Sequence, residues 1–175
     1  MRDELLRLLP ALRRFARGLA GNLDEADDLV QSACERAIRN IRQWRPGTRL
    51  DSWLYRIIQT TWIDQRRAQG VRDRHALGVA ATAEIGGGGE ATAIDKLTLK
   101  AVDVALDQLP EAQRAVLLLV CVEQLSYAEA SEILQVPVGT VMSRLSRARL
   151  ALRHLVPDGE NNRAAMSAAD RMAAK

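Results

Sequence analysis

Residues 126–154 read SYAEASEILQVPVGTVMSRLSRARLALRH, and their pattern decides what kind of chain this is. Ser126 with Glu129 three residues later is a capping box, in which each residue satisfies a backbone N–H left orphaned at a helix start. It predicts a short helix over Ser126–Leu134, stopped at Gln135-Val136-Pro137 because proline cannot continue a helix. A longer helix follows from Val138 to His154, with Val141, Leu145, Ala148 and Leu152 on one face. Steps of about 100° per residue gather those four together and put Thr140, Ser143, Ser146 and Arg147 opposite, with Met142, Arg144 and Arg149 on the flanks. Two helices joined by a tight turn, the second rich in arginine, form a helix-turn-helix candidate. Exposed hydroxyls and guanidiniums suit base edges and phosphates. The same wheel suits a solvated surface helix equally well.

Upstream, Glu111–Glu123 is a dense apolar helix entered at Leu109-Pro110, and Ile94, Leu97, Ala101, Val104 and Ala105 keep helical spacing before it. Residues 94–156 therefore make one small helical domain. Before them, 70–93 includes AATAEIGGGGEATA (80–93), which has small residues, no period and glycines at Gly86–Gly89. This composition predicts a flexible tether. A phosphate loop is excluded, since no strand precedes the glycines and no GK[ST] follows. The polar, alanine-rich 157–175 reads as a disordered tail.

The first 69 residues form a second domain. Leu5, Leu8, Leu12, Phe15 and Leu19 predict a helix over Asp3–Leu19, which Pro10 should distort or delay. After Gly21-Asn22, Asp24 is the expected N-cap of a helix reaching Trp44, with Ala26, Leu29, Val30, Ala33, Ala37, Ile38 and Ile41 on its inner stripe. Arg45-Pro46-Gly47-Thr48 is a loop. A third helix is expected from Leu50 to Arg67, with Trp53, Leu54, Ile57, Ile58 and Thr61 facing inward. Trp62 lies off that stripe, and a DNA-facing and a partly buried placement are both open to it. The fold class is all-α: two small helical domains joined by a flexible linker.

A net charge of +3 says little, but its distribution says more. Ten arginines lie between Arg36 and Arg74 against Asp51, Asp64 and Asp73, while Asp24, Glu25, Asp27, Asp28 and Glu35 cluster just before. Adjacent acidic and basic patches imply two different partner surfaces. Cys34 and Cys121 belong to no metal-binding spacing and are expected to be buried apolar thiols. The chain has no apolar run of about 18 residues and no signal-peptide core, which predicts a cytoplasmic protein without membrane insertion. With no nucleophile–base pair, metal cluster or cofactor loop, neither an enzyme nor a bound cofactor is expected.

VPVGTVMSRLSRARLALR (136–153) resembles the recognition helix of sigma-70 family sigma factors, in particular the extracytoplasmic-function (ECF) type. LDQLPEAQRAVLLLVCVEQLSYAEASEIL (106–134) is similar to the rest of their region 4. DEADDLVQSACERAI (24–38) resembles the polymerase-binding helix of region 2, and PGTRLDSWLYRIIQTTWIDQRR (46–67) its promoter-melting part. The resemblance implies an alternative sigma factor that binds core RNA polymerase and promoter DNA and is held by an anti-sigma factor. It places Asp24, Asp27, Asp28, Leu29 and Gln31 on the polymerase clamp, although acids at a helix start also complement its dipole. It places Trp44, Arg45, Gly47, Thr48, Arg49 and Thr60 on the −10 element. Thr140, Met142, Ser143, Arg144, Ser146, Arg147 and Arg149 fall on the −35 element. Thr60 stands where the family usually has Asn, and Met142 where it usually has a basic residue. The competing reading, a regulator with a sensory domain in 1–70, would need a strand pattern that this segment lacks.

Overall fold

The computed structural model describes residues 2–45, 47–75 and 104–155, all helix, turn or loop without a strand. The chain divides into two compact units, Met1–Gly87 and Gly88–Lys175. The expected tether and tail lie almost wholly outside the described residues, as do the first ten residues of the expected 94–109 helix.

In the first unit, α1 (Arg2–Ala20), α2 (Leu23–Arg39) and α3 (Leu50–His75) each pack on the other two. Leu12, Phe15, Ala16 and Leu19 of α1 meet Ala26, Leu29, Val30, Ala33 and Ala37 of α2 and Leu54, Tyr55, Ile57, Ile58 and Trp62 of α3 in a common core. The rings of Phe15 and Tyr55 pack edge to face at 5.2 Å, the geometry favoured by aromatic quadrupoles. Helix α1 runs unbroken through Pro10. The Leu6 carbonyl that loses its partner there sits at an exposed residue, open to solvent.

Three expectations need correction, and one open placement is decided. The N-cap of α2 is Asn22, whose Oδ1 accepts the Glu25 N–H at 2.8 Å, so Asp24 lies inside the first turn. Helix α2 ends at Arg39 and a single 3₁₀ turn follows at Ile41–Gln43, which leaves Ile38 65% exposed. Helix α3 continues to His75, because the stretch after Arg67 holds good helix formers and no proline. Of the two placements open to Trp62 the structure shows the buried one, with the Arg66 guanidinium 5.3 Å over its ring.

The second unit contains α4 (Glu111–Leu117), which widens into a π turn at Leu118–Val122, then α5 (Tyr127–Leu134) and α6 (Val138–Leu155). Ala115 through Val120 are all buried, so this segment is covered on every side and forms the unit's centre. The wide turn closes with the Glu123 N–H donating to the Leu118 carbonyl at 2.9 Å. Both halves of the Ser126–Glu129 capping box are present. Gln135 ends α5 in the left-handed region at φ +53°, and its Nε2 donates to the Glu132 carbonyl. Pro137 then starts α6 by accepting the N–H groups of Thr140 and Val141. Cys34 and Cys121 are half-buried, less enclosed than expected, because each sits at the margin of its unit's core.

The corrected cap is testable by thermal unfolding. Asn22→Ala should cost about 1 kcal/mol, and Asp24→Ala only about 0.3 kcal/mol, since it removes just an exposed dipole interaction. The reverse order would restore Asp24 as the cap.

Candidate polymerase and nucleic-acid interfaces

On α2, Asp24, Asp27, Asp28 and Gln31 are exposed. Asp27 lies 3.6 Å from the Arg13 guanidinium, and Gln31 Nε2 donates to Glu35 Oε1 at 3.3 Å. Leu29 is fully buried and is withdrawn from this surface: it packs the core and holds its acidic neighbours outward. Sequence reasoning missed Ile38, which extends the exposed face. Asp24, Asp28, Gln31, Glu35 and Ile38 follow one another at alternating four- and three-residue steps. That spacing suits contact along a partner helix.

The loop after α2 is fixed locally. Thr48 donates both its N–H (3.1 Å) and its hydroxyl (2.7 Å) to the Arg45 carbonyl. Gly47 takes φ +91°, which disfavours any side chain there. Arg45 is exposed. Arg49 binds Asp51, with Nε donating at 3.1 Å. Trp44 is half-buried, and its buried indole N–H has no hydrogen-bond partner. Thr60 is half-buried and donates its hydroxyl to the carbonyls of Arg56 and Ile57, both at 3.0 Å.

Between the end of α2 and the first half of α3 lies an open cleft of about 500 Å³, lined by Arg36, Asn40, Gln43, Trp53, Arg56, Ile57 and Thr60. Trp53 and Ile57 supply apolar surface, while Asn40, Gln43 and Thr60 supply donors and acceptors. Arg36 is anchored to Asp64 at 3.0 Å, and Asn40 Nδ2 donates to the Arg36 carbonyl at 2.9 Å. A flat, polar-edged, negatively tethered group such as a nucleobase fits this chemistry. Of the expected −10 residues only Thr60 lines the cleft. Trp53 had been read as packing, and the four-residue spacings Arg36–Asn40 and Arg56–Thr60 were the available signal for the rest.

In the second unit Val141, Leu145 and Ala148 of α6 are buried, as their wheel positions require, and Leu152 is half-buried. Met142, Ser143, Ser146 and Arg147 are exposed; Thr140, Arg144 and Arg149 are half-buried at the margins. Ser143 donates its hydroxyl to the Thr140 carbonyl at 3.1 Å, so its lone pairs face outward as acceptors.

Three groups carry displaced pKa values, and the Arg49 guanidinium is one, held above its ordinary value chiefly by its hydrogen bond to Asp51. Burial pushes the Asp51 carboxyl up, but hydrogen bonds from Arg49 and the Ser52 N–H outweigh it and hold the group below its usual range. Burial pushes the Cys34 thiol up, with Arg13 pulling the other way. Because the folded-state value of Asp51 is lowered, its stabilising effect is present above the unfolded carboxylate pKa and is lost as pH falls through the folded value. Arg49→Ala should therefore raise the Asp51 midpoint in a carboxyl NMR titration. An unmoved midpoint would show that Arg49 does not hold that carboxylate.

The family model described as Sigma-70 region 2 matches residues 5–72, and that for Sigma-70 region 4 matches 99–152. The ECF RNA polymerase sigma factor EcfG of Rhodopseudomonas palustris is 37% identical over 156 residues, covering 89% of this chain and 84% of that protein. The ECF RNA polymerase sigma factor SigW of Bacillus subtilis is 34% identical over 150 residues, covering 80% of each. Among solved structures, the sigma factor RpoE of Bartonella quintana, in complex with the anti-sigma factor NepR, matches with a TM-score of 0.80 and 32% identity. That match covers 88% of this chain and 94% of the other.

Proposed function

The chain belongs to the sigma-70 family of RNA polymerase sigma factors, in its ECF group, and we propose that its two units divide promoter recognition between them. It is a transcription initiation factor, not an enzyme: it binds core polymerase and directs it to promoter DNA. As a partner of core polymerase the chain works in the cytoplasm, a reading supported by its ECF relatives. Among the described residues no helix is long and apolar enough to cross a membrane.

The first unit docks on core polymerase through the α2 face of Asp24, Asp27, Asp28 and Gln31, and Ile38 forms the apolar end of that surface. Exposed acids steer and orient, whereas an exposed isoleucine gives an anchor that is desolvated on docking. The cleft carries the reading of the −10 element. It offers an apolar wall for stacking, polar groups for a base edge, and Arg36 and Arg56 for phosphate, and its lining ends at Gln43, next to the 44–49 loop. A base unstacked from the melted strand is received there, with Trp44, Arg45, Gly47, Thr48 and Arg49 bounding the entry. Arg49 exchanges Asp51 for phosphate on binding. The second unit reads the −35 element with α6, through Ser143, Ser146 and Arg147 at base edges and Arg144 and Arg149 at phosphates, with Thr140 at the margin. An anti-sigma factor covering these faces controls the protein, a reading supported by the NepR complex of the Bartonella relative.

Reversing charge at Asp27 and Asp28 to Lys should weaken binding to core polymerase by about tenfold or more. The fold should survive, since the Arg13–Asp27 pair is exposed and such pairs contribute little. Unchanged affinity at physiological salt would remove α2 as the docking helix. For the −10 cleft, Arg45→Ala with Arg56→Ala should leave closed complexes intact and cut permanganate reactivity of the melted strand severalfold. Loss of duplex binding with normal melting would reverse the assignment.

A further inference from the structure

Met142 is the one large apolar side chain among the proposed −35 contacts, and it brings no charge and no hydrogen-bonding donor to DNA. It is 52% exposed, and Val138, one turn earlier on the same side, is 41% exposed. Gly139 lies between them, and a Cβ built there would meet nothing within 4 Å. The first turns of α6 thus present a corner with no polar side chain, next to Ser143, Ser146 and Arg147. A glycine inside a helix costs about 1 kcal/mol relative to alanine, and among the described residues nothing crowds this one. A bare backbone here lets the corner sit deep in a groove.

Base-pair edges in the major groove present donors and acceptors, with one apolar exception, the thymine 5-methyl group. A flexible, polarisable thioether packs well against such a group. We propose that Met142 reads a thymine methyl in the −35 element, and so helps determine promoter sequence instead of gripping phosphate as a basic residue would there. The proposal rests on the reading of α6 given above. Five residues separate Met142 from Arg147, about 7.5 Å along the helix axis at a rise of about 1.5 Å per residue. That is about two base-pair steps of about 3.4 Å. The thymine should therefore lie within about three base pairs of the pair that Arg147 reads.

The test uses holoenzyme reconstituted from core polymerase and the full chain, first to select a −35 sequence and then to measure affinity with each thymine, on either strand, replaced singly by deoxyuridine. Deoxyuridine differs only by the missing methyl. One replacement should weaken wild-type binding about fourfold, the value of one buried methyl-sized group. Met142→Ala should bind thymine and deoxyuridine equally. Met142→Lys should bind all sequences more tightly and also ignore the replacement. Arg147→Ala should change the selected sequence yet keep the deoxyuridine penalty. The proposal is overturned if the selected element lacks thymine, if wild type tolerates every replacement, or if the penalty persists in Met142→Ala. A selection that returns no −35 sequence overturns both this proposal and the reading of α6. A selection that Arg147→Ala alters, with no deoxyuridine effect in wild type, overturns only the proposal for Met142.

Discussion

Helix α2 is held against both α1 and α3 by Ala26, Leu29, Val30, Ala33 and Ala37, and the proposed surfaces of the first unit follow from that burial. Three of these five side chains are alanines, and small residues let helices approach closely. One face of α2 is thereby committed to the core. The opposite face must carry Asp24, Asp28, Gln31, Glu35 and Ile38 outward in a single row. The same packing brings the end of α2 beside the start of α3, where Arg36, Asn40 and Gln43 face Trp53, Arg56 and Thr60 across the cleft. The proposed docking face and the proposed nucleic-acid cleft are thus two consequences of one buried stripe, and a cavity at Leu29 would loosen both.

The second unit uses the same logic on one helix. Val141, Leu145 and Ala148 fix the rotation of α6 about its axis, which leaves Ser143, Ser146 and Arg147 exposed. Its entry angle is set by the turn before it, where Gln135 adopts a left-handed conformation and Ser131 donates its hydroxyl to the Val136 carbonyl. The π turn at Leu118–Val122 starts in the buried segment and ends at the surface, with Leu118, Leu119 and Val120 buried and Val122 38% exposed, and its wide bond is intact.

Much of this was legible beforehand for identifiable reasons. The capping box at Ser126 and the wheel of α6 are local signals, fixed by residues three and four apart, and both appear in the structure. The cap of α2 was misassigned because Asn22 and Asp24 are both competent acceptors, and only the backbone dihedrals decide between them. Ile38 was placed inside because its spacing matched the stripe, but α2 ends one residue later and the 3₁₀ turn leads the chain away. The cleft was hardest to see. Its walls come from segments separated in sequence, and Trp53 lies close enough to the core stripe to pass for packing. Leu29 fell into a surface motif for the opposite reason: it neighbours exposed acids in sequence but points the other way.

On the proposed division of labour, this chain gives core polymerase a two-part promoter preference, one part for each unit. Run-off transcription from a randomised promoter library, with core enzyme and the full chain, measures it directly. Initiation should occur only in the presence of the chain, from templates sharing two short sequence blocks at a fixed spacing. Arg147→Ala should alter only the upstream block, and Arg56→Ala should affect only the downstream block. Initiation without sequence preference, or from a single block sensitive to both substitutions, would contradict it.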